Sequence, residues 1–367
     1  MNKAYKFRIY PNDEQKVIFA KTFGCTRFIY NKMLEDKIVY YKQTKQKLNN
    51  TPAQYKTKFE WLKEVDSLAL ANAQMNLQKA FTNFYTKPKS GFPKFKSKHK
   101  NRKSYTTNNQ KGSITLENGY LKLPKIVDLI KVKQHRQIPK DYKIKAVTIS
   151  QTPSGKYYAS ILCEYANQVQ TVEPKTFIGL DFSMKELYVA SDGTVANYPR
   201  YYRKSQEKLA REQRKLSKCE TGSKNRAKQR IKVAKLHEKV ANQRKDFLHK
   251  LSRQIANAYD CVCIEDLDMK AMSQALNFGK SVADNGWGMF TTFLKYKLND
   301  AGKYLVKVDK FYASSQICNA CGYKNPEIKN LSSREWKCPN CGTQHDRDIN
   351  ASINIRNAGM HLILAQS

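Results

Sequence analysis

Four cysteines, arranged as Cys318-Asn-Ala-Cys321 and Cys338-Pro-Asn-Cys341 with sixteen residues between the pairs, constrain this chain more tightly than any other feature. Two thiolates separated by two residues sit on one tight turn and aim at one point, and a second such turn completes a tetrahedral shell around a single ion. Each pair is followed by glycine, Gly322 and Gly342. The spacing predicts the two knuckles of a structural zinc ribbon over 316–343. A catalytic zinc does not suit it, because four cysteines leave no open position for water. The competing reading, a pair of redox centres, is weakened by how well the two pairs match. The remaining cysteines, Cys25, Cys163, Cys219, Cys261 and Cys263, bring the total to nine. They are assigned no metal role, and the set fits a reducing compartment better than a disulfide framework.

Charge narrows the partners. Lysine and arginine number 67 against 31 acids, a formal charge of +36 over 367 residues. Such a chain repels itself unless a polyanion is bound. Solubility or a membrane surface are the competing explanations, but 22 tyrosines and 16 phenylalanines interleave with the cations. Rings stack on bases and cations hold phosphates, so nucleic acid is the expected partner. No apolar run approaches the roughly 20 residues needed to span a bilayer. Met1 to Tyr10 has no signal-peptide core, so an intracellular, cytoplasmic protein is expected and no membrane.

The opening Tyr5-Lys6-Phe7-Arg8-Ile9-Tyr10 alternates like a strand, and Asn12 or Asp13 is placed to cap a helix after it. Helical periodicity continues to about Tyr85. Between Lys87 and Tyr105 a run rich in lysine, glycine and proline carries Phe92 and Phe95. It reads equally as a solvated linker or as a nucleic-acid contact. From Ser113 to Tyr165, turn clusters at Glu117-Asn118-Gly119 and Pro153-Ser154-Gly155 separate alternating runs. The pattern predicts a β-barrel-like module of residues 1–10 and 108–172, with the helical stretch 11–107 inserted into it.

After Pro174 the runs TFIGLDFS and LYVASDGTVANY suggest an antiparallel meander turning at Ser191-Asp192-Gly193. A helical stretch from Tyr201 to Tyr259 follows, broken into a hairpin at Gly222. It carries Arg211, Arg214, Lys215, Arg226, Lys228, Arg230, Lys232 and Lys235 with few acids to pair them, which favours a phosphate-facing surface over a merely solvated one. A strand at 261–268, a helix around Trp287–Leu298 and the strand YLVKVDKFY complete the order of a ribonuclease H-like α/β domain, spanning 173–315 and 344–367.

Three separated acids stand out within that order. Asp181 lies inside the strand FIGLDFS, Glu265 ends the strand VCIED, and Asp348 precedes the final helix in HDRDINASINI. An aspartate in an apolar strand is costly to bury unless it faces a cleft or a cation. Clustered carboxylates call for hard divalent ions, magnesium or its substitute manganese. Two such ions about 3.5–4 Å apart activate water and stabilise the leaving oxygen in phosphodiester hydrolysis. Taken singly, each acid is equally a strand-end or helix-cap residue, and Asp346 and Asp348 are both placed to cap the last helix.

Together these segments resemble the TnpB family, transposon-encoded relatives of the compact type V CRISPR effectors, over nearly the whole chain. YKFRIYPNDEQ with FGCTRFIYNKML is similar to the family's opening signature and GFPKFKSK to its basic middle motif. GLDFS, IEDLDMKAM, NGWGMFTTFLKYKL, the paired Cys-x-x-Cys and HDRDINASINI resemble RuvC-like nuclease segments interrupted by a zinc ribbon. The resemblance implies a wedge module with a recognition insertion, followed by a RuvC-like domain in which Asp181, Glu265 and Asp348 bind the metals. Asp348 is preferred to Asp346 because it stands two residues before Asn350; Asp346 and Asp266 are the fallback candidates. Ser183 departs from the glycine common at its position.

The family further implies a guide RNA derived from the transposon end, and double-stranded target DNA cut beside a short motif read by protein. Competing functions are an RNA-guided binding protein that does not cut, and a transposase acting on transposon ends without RNA. A CRISPR effector is not distinguished from its transposon relatives at this level.

Overall fold

Tyr5, Phe7 and Ile9 alternate with polar residues, and in the computed structural model they form the buried face of strand β1 (Asn2–Tyr10). The structure describes residues 1–166, 169–274, 279–329 and 334–365. It divides into two units, Met1–Asn167 and Gln168–Ser367.

In the first unit β1 lies inside a seven-stranded antiparallel sheet of order β2-β6-β7-β1-β5-β4-β3. The other strands are β2 (Lys103–Asn108), β3 (Thr115–Glu117), β4 (Tyr120–Lys122), β5 (Ile130–Lys133), β6 (Lys143–Gln151) and β7 (Tyr157–Glu164). The end strands β2 and β3 do not pair with each other, so among the described residues the sheet is open rather than a closed barrel. Asn118 (φ 51°) and Gly119 (φ 77°) make the tight β3–β4 turn that their sequence announces.

Between β1 and β2 run helices α1 (Asp13–Thr44), α2 (Pro52–Lys58) and α3 (Ser67–Thr86). Asn12 and Gln15 form a reciprocal capping box at the start of α1. Phe19 and Phe23 of α1 join the sheet's core. Further along, Ile29, Met33 and Leu34 pack on Leu62, Leu70 and Leu77 as a separate helical core. The helices are thus an insertion in sequence between the first two strands. The sheet resumes at Lys103, earlier than the expected 108, because Tyr105 and Thr107 supply buried alternation inside a run whose cations dominate its composition.

The second unit is built on a four-stranded sheet of order β11-β10-β8-β9. Its strands are β8 (Phe177–Ser183), β9 (Leu187–Ala190), β10 (Cys261–Glu265) and β11 (Tyr304–Val308). β8 and β9 are antiparallel, whereas β10 is parallel to both β8 and β11. The third leg of the expected meander is a single bridge, Val189 to Val195, after the Ser191-Asp192-Gly193 turn. Helices α4 (Tyr201–Lys218) and α5 (Lys224–Ala258) form the hairpin, with Gly222 at φ 90° in the bend. Short helices α6 (Met269–Gln274) and α7 (Gly279–Asn285) lead to α8 (Trp287–Asp300), and α9 (Arg347–Leu364) closes the unit.

Strand parity sorts the sheet's two faces. Ile178, Leu180, Val262 and Ile264 point into a core with Leu248 and Ile255 of α5 and Phe290 and Leu294 of α8. Cys261 and Cys263 point the other way, against Ile355 and Ile363 of α9. A strand covered on both faces reads as the uninterrupted apolar run seen at Cys261–Ile264. The ribbon adds β12 (Glu335–Lys337) and β13 (Gln344–Asp346), so its hairpin runs three residues past the expected boundary at 343. Among the described residues no helix is long and apolar enough to cross a membrane.

Candidate functional site

Two glycines decide how closely α9 lies on the sheet. A Cβ on Gly179 of β8 would stand 2.0 Å from the Ser352 carbonyl oxygen and 2.7 Å from the Arg356 nitrogen. A Cβ on Gly359 of α9 would stand 2.3 Å from Cys263 Sγ. At Gly179 strand backbone therefore meets helix backbone directly, and at Gly359 the helix leaves room for the Cys263 side chain of β10. Side chains two apart on a strand share a face, so Asp181 follows Gly179, and Glu265 follows Cys263, on the side facing α9. Ile264 is level with Leu180, which brings the next position on each strand, Glu265 and Asp181, to the same end of the sheet. Asp348 lies one helical turn before Ser352, toward that same end.

Electrostatics couples Asp181 to the other two acids. Burial pushes the Asp181 carboxyl well above the usual carboxylate range; the negative charges of Glu265 and Asp348 push it further, and Arg347 opposes them. Burial also raises Glu265, against the hydrogen bond that its Oε1 accepts from Ser314 Oγ at 2.7 Å. Asp348 Oδ2 accepts from Arg334 Nη1 at 2.9 Å. The fallback acids are engaged elsewhere. Asp346 caps α9, its Oδ1 accepting from the backbone of Asp348 at 3.0 Å and Ile349 at 2.9 Å. Asp266 is exposed and pairs with Lys307 on the neighbouring strand. Ser183, at the position where a glycine was expected, accepts from the Glu186 backbone at 3.2 Å and so closes the β8–β9 turn.

Both cysteine turns have the same construction. The N–H of Cys318 donates to Tyr323 O and that of Gly322 to Cys318 O; in the second turn Cys338 donates to Thr343 O and Gly342 to Cys338 O. Gly322 (φ 76°) and Gly342 (φ 74°) hold the left-handed backbone that ends each turn, which explains a glycine after each pair. The four sulfurs lie within 4.8 Å of one another. Cys318 to Cys341 and Cys321 to Cys338 are each 3.6 Å. Tetrahedral zinc with bonds of about 2.3 Å sets sulfurs roughly 3.8 Å apart, so the four thiols fit that ion.

Several residues at these sites escape sequence reasoning: Ser314, Arg334, His345, Asn350 and Asn354. The two asparagines leave a trace, because their spacing of four repeats a polar side chain on a buried helix face. Arg334 leaves none, since only the folded ribbon brings it beside Asp348.

Basic surfaces occur in each unit. In the first, a groove of about 220 Å³ is lined by Arg27, Lys96, Lys98, Arg102, Lys103 and Asn76 among others. Near the end of α3 the exposed ring of Phe84 packs against those of Tyr85 and Phe92, also exposed, with Lys87 and Lys89 beside them in sequence. In the second, Arg211, Arg214, Lys228, Arg230 and Lys235 of the α4–α5 hairpin are exposed. Lys215 and Lys232 pair with the buried Glu212, which helps to hold the hairpin closed.

Family models match three stretches: residues 160–276 as a "Probable transposase" of the OrfB, IS605 type, residues 287–355 as a Cas12f1-like TNB domain, and residues 1–46 as a helix-turn-helix domain. Within the last stretch the structure has β1 followed by one continuous helix, α1. In three dimensions the chain is similar to Cas12f1 solved with sgRNA and target DNA, at a TM-score of 0.62 and 15% identity, covering 97% of this chain and 99% of that one. A protein of Streptomyces pristinaespiralis named an RNA-guided DNA endonuclease is 35% identical over 98% of this chain and 90% of its own length. InsQ of Escherichia coli K12, also named an RNA-guided DNA endonuclease, is 30% identical over 99% of this chain and 93% of its own length. Identity sustained along almost the full length of these relatives shows that the chain belongs to the TnpB family of RNA-guided DNA endonucleases.

Proposed function

We propose that this chain cuts double-stranded DNA at sites chosen by a bound guide RNA, hydrolysing the phosphodiester with divalent cations held by Asp181, Glu265 and Asp348. The observation that carries the reading is Asp181. It is buried in an apolar strand within the field of two further acids, an arrangement that disfavours its own charge until a cation is present. The names of the relatives support RNA guidance and DNA as the substrate.

In this reading the second unit is a ribonuclease H-like, RuvC-type domain interrupted by the zinc ribbon. The first unit is a wedge module with a recognition insertion. Magnesium, or manganese in its place, supplies an activated water and charge stabilisation for the leaving oxygen when bound. The chain's residues do the rest. Asp181 and Glu265 offer oxygens from the ends of neighbouring parallel strands, and Ser314 orients Glu265. Asp348 offers a third from the first turn of α9, whose N-terminal amides favour negative charge. Arg334, largely exposed and paired with Asp348, offers a cation to a phosphate beside the acids. The exposed rings of α3 and the cations of both units suit a backbone recognised by shape and charge, which lets base pairing with a transposon-end RNA choose the sequence.

The test is cleavage of a plasmid library by the protein co-expressed with the RNA flanking its gene. Linear product beside one short motif, lost with a chelator, with ribonuclease pretreatment and in Asp181→Ala, is expected. Guide-dependent binding without cutting would instead make this a binding protein. Cutting that survives ribonuclease would make it a transposase acting on DNA ends.

A further inference from the structure

The cysteine site and the acid centre share a length of backbone. Ile317, the residue before the first knuckle cysteine, has its carbonyl oxygen held by two side chains of α9, Asn350 Nδ2 at 2.8 Å and Asn354 Nδ2 at 2.6 Å. Asn350 Oδ1 accepts in return from the N–H of Asn319, inside the knuckle, at 3.0 Å. Asn354 also donates to Ser314 O at 2.8 Å, and Ser314 is the residue whose hydroxyl orients Glu265. The asparagines are 1% and 4% exposed, so water does not readily replace a lost partner.

A second tie to the same knuckle comes from β13. His345 Nε2 lies 3.1 Å from Cys318 Sγ, and its ring packs on Trp336 with centroids 4.7 Å apart. His345 lies outside the four-sulfur cluster, so its place is to donate to a thiolate rather than to complete the shell. It belongs to β13, which runs directly into the Asp346 cap and then Asp348. The first knuckle is thus fastened twice to the segment that carries Asp348, through Asn350 and Asn354 of α9 and through His345 just before it, by contacts that zinc binding itself does not require.

We propose that zinc in the ribbon positions Asp348 in the acid centre, and that Asn350, Asn354 and His345 are the positioning residues that transmit it. The inference rests on the reading of Asp348 as a cation ligand. Four thiols without an ion have no reason to stay at tetrahedral spacing. As the knuckles relax, Ile317 O and Asn319 N–H move, and the first turn of α9 either follows them or is left with unpaired buried amides. Coupling of this kind is reciprocal: cations at the acids must also tighten zinc.

The experiment uses the full chain with its RNA, zinc content by mass spectrometry, and manganese as the probe at the acids, read by electron paramagnetic resonance. Removing zinc is expected to weaken manganese binding about tenfold or more. Asn350→Leu and His345→Leu are expected to keep one zinc per chain yet bind manganese about tenfold more weakly, with His345→Gln, which keeps an N–H donor, recovering most of it. Zinc removal should then add little to Asn350→Leu. With no variant at all, saturating manganese should slow zinc release from the wild type to a chromophoric chelator.

Equal manganese affinity with and without zinc, additive effects of zinc removal and Asn350→Leu, or zinc release indifferent to manganese would each overturn the proposal. Manganese binding by zinc-loaded wild type no stronger than that of Asp181→Ala would instead overturn the acid-centre reading on which it rests.

Discussion

The ribbon and the acid centre are both candidate metal sites in one unit, and they are encoded in opposite ways. The ribbon is made from two copies of one local turn, each with the same pair of backbone hydrogen bonds and the same left-handed glycine. The acid centre is made from single residues on β8, β10 and α9, none of them distinctive alone. A local site carries its own geometry and depends on its ion to stay folded. A dispersed site depends on the packing of sheet against helix, and its ion relieves the repulsion among charges that the fold already holds together.

The largest test of this contrast is removal of zinc. Cys321→Ser with Cys338→Ser should forfeit on the order of 10 kcal/mol of metal-coupled folding free energy and melt the ribbon, while circular dichroism shows the β8–β10 sheet intact. Asp181→Ala should lower DNA cutting about 10⁴-fold and leave the zinc content unchanged. Gly179→Ala, which drives a methyl into the backbone of α9, should destabilise the second unit by about 3 kcal/mol in denaturant unfolding without altering any acid or cysteine. A milder perturbation is Asp346→Ala, which removes the α9 cap and should cost about 1 kcal/mol.

The smallest effect has a stabilising sign. A carboxyl whose folded-state pKa is raised favours the fold below its ordinary pKa of 3.8, and that contribution is lost as pH climbs through the raised value. Without divalent cations, Asp181→Asn should therefore melt higher than the wild type at neutral pH, with the gap closing as pH falls toward about 4. A lower melting temperature at neutral pH would contradict the charge crowding at Asp181.

What could be read in advance follows the same division. The knuckles, the α1 cap at Asn12, the hairpin bend at Gly222 and the strand character of Tyr5–Ile9 are local, and the residues that make them announce them. β2 was hidden because its buried residues alternate inside a cationic run, and the third meander leg contracted to the Val189–Val195 bridge. Asp181, Glu265 and Asp348 could be nominated from position, but the choice of Asp348 over Asp346 turns on which carboxyl accepts the amides at the start of α9. Gly179 looks like a weak point in a strand until the helix backbone that occupies its side-chain space is known. Asn350 and Asn354 leave only their spacing of four as a trace, and Arg334 acts through a tertiary contact that no local pattern states.

The most direct test measures guide-directed DNA binding and DNA cutting side by side in Asp181→Ala, Glu265→Ala, Asp348→Ala and the control Asp266→Ala. The account predicts that the first three bind like the wild type and do not cut, while Asp266→Ala does both. Cutting retained in any one of the first three, or lost in Asp266→Ala, would contradict it.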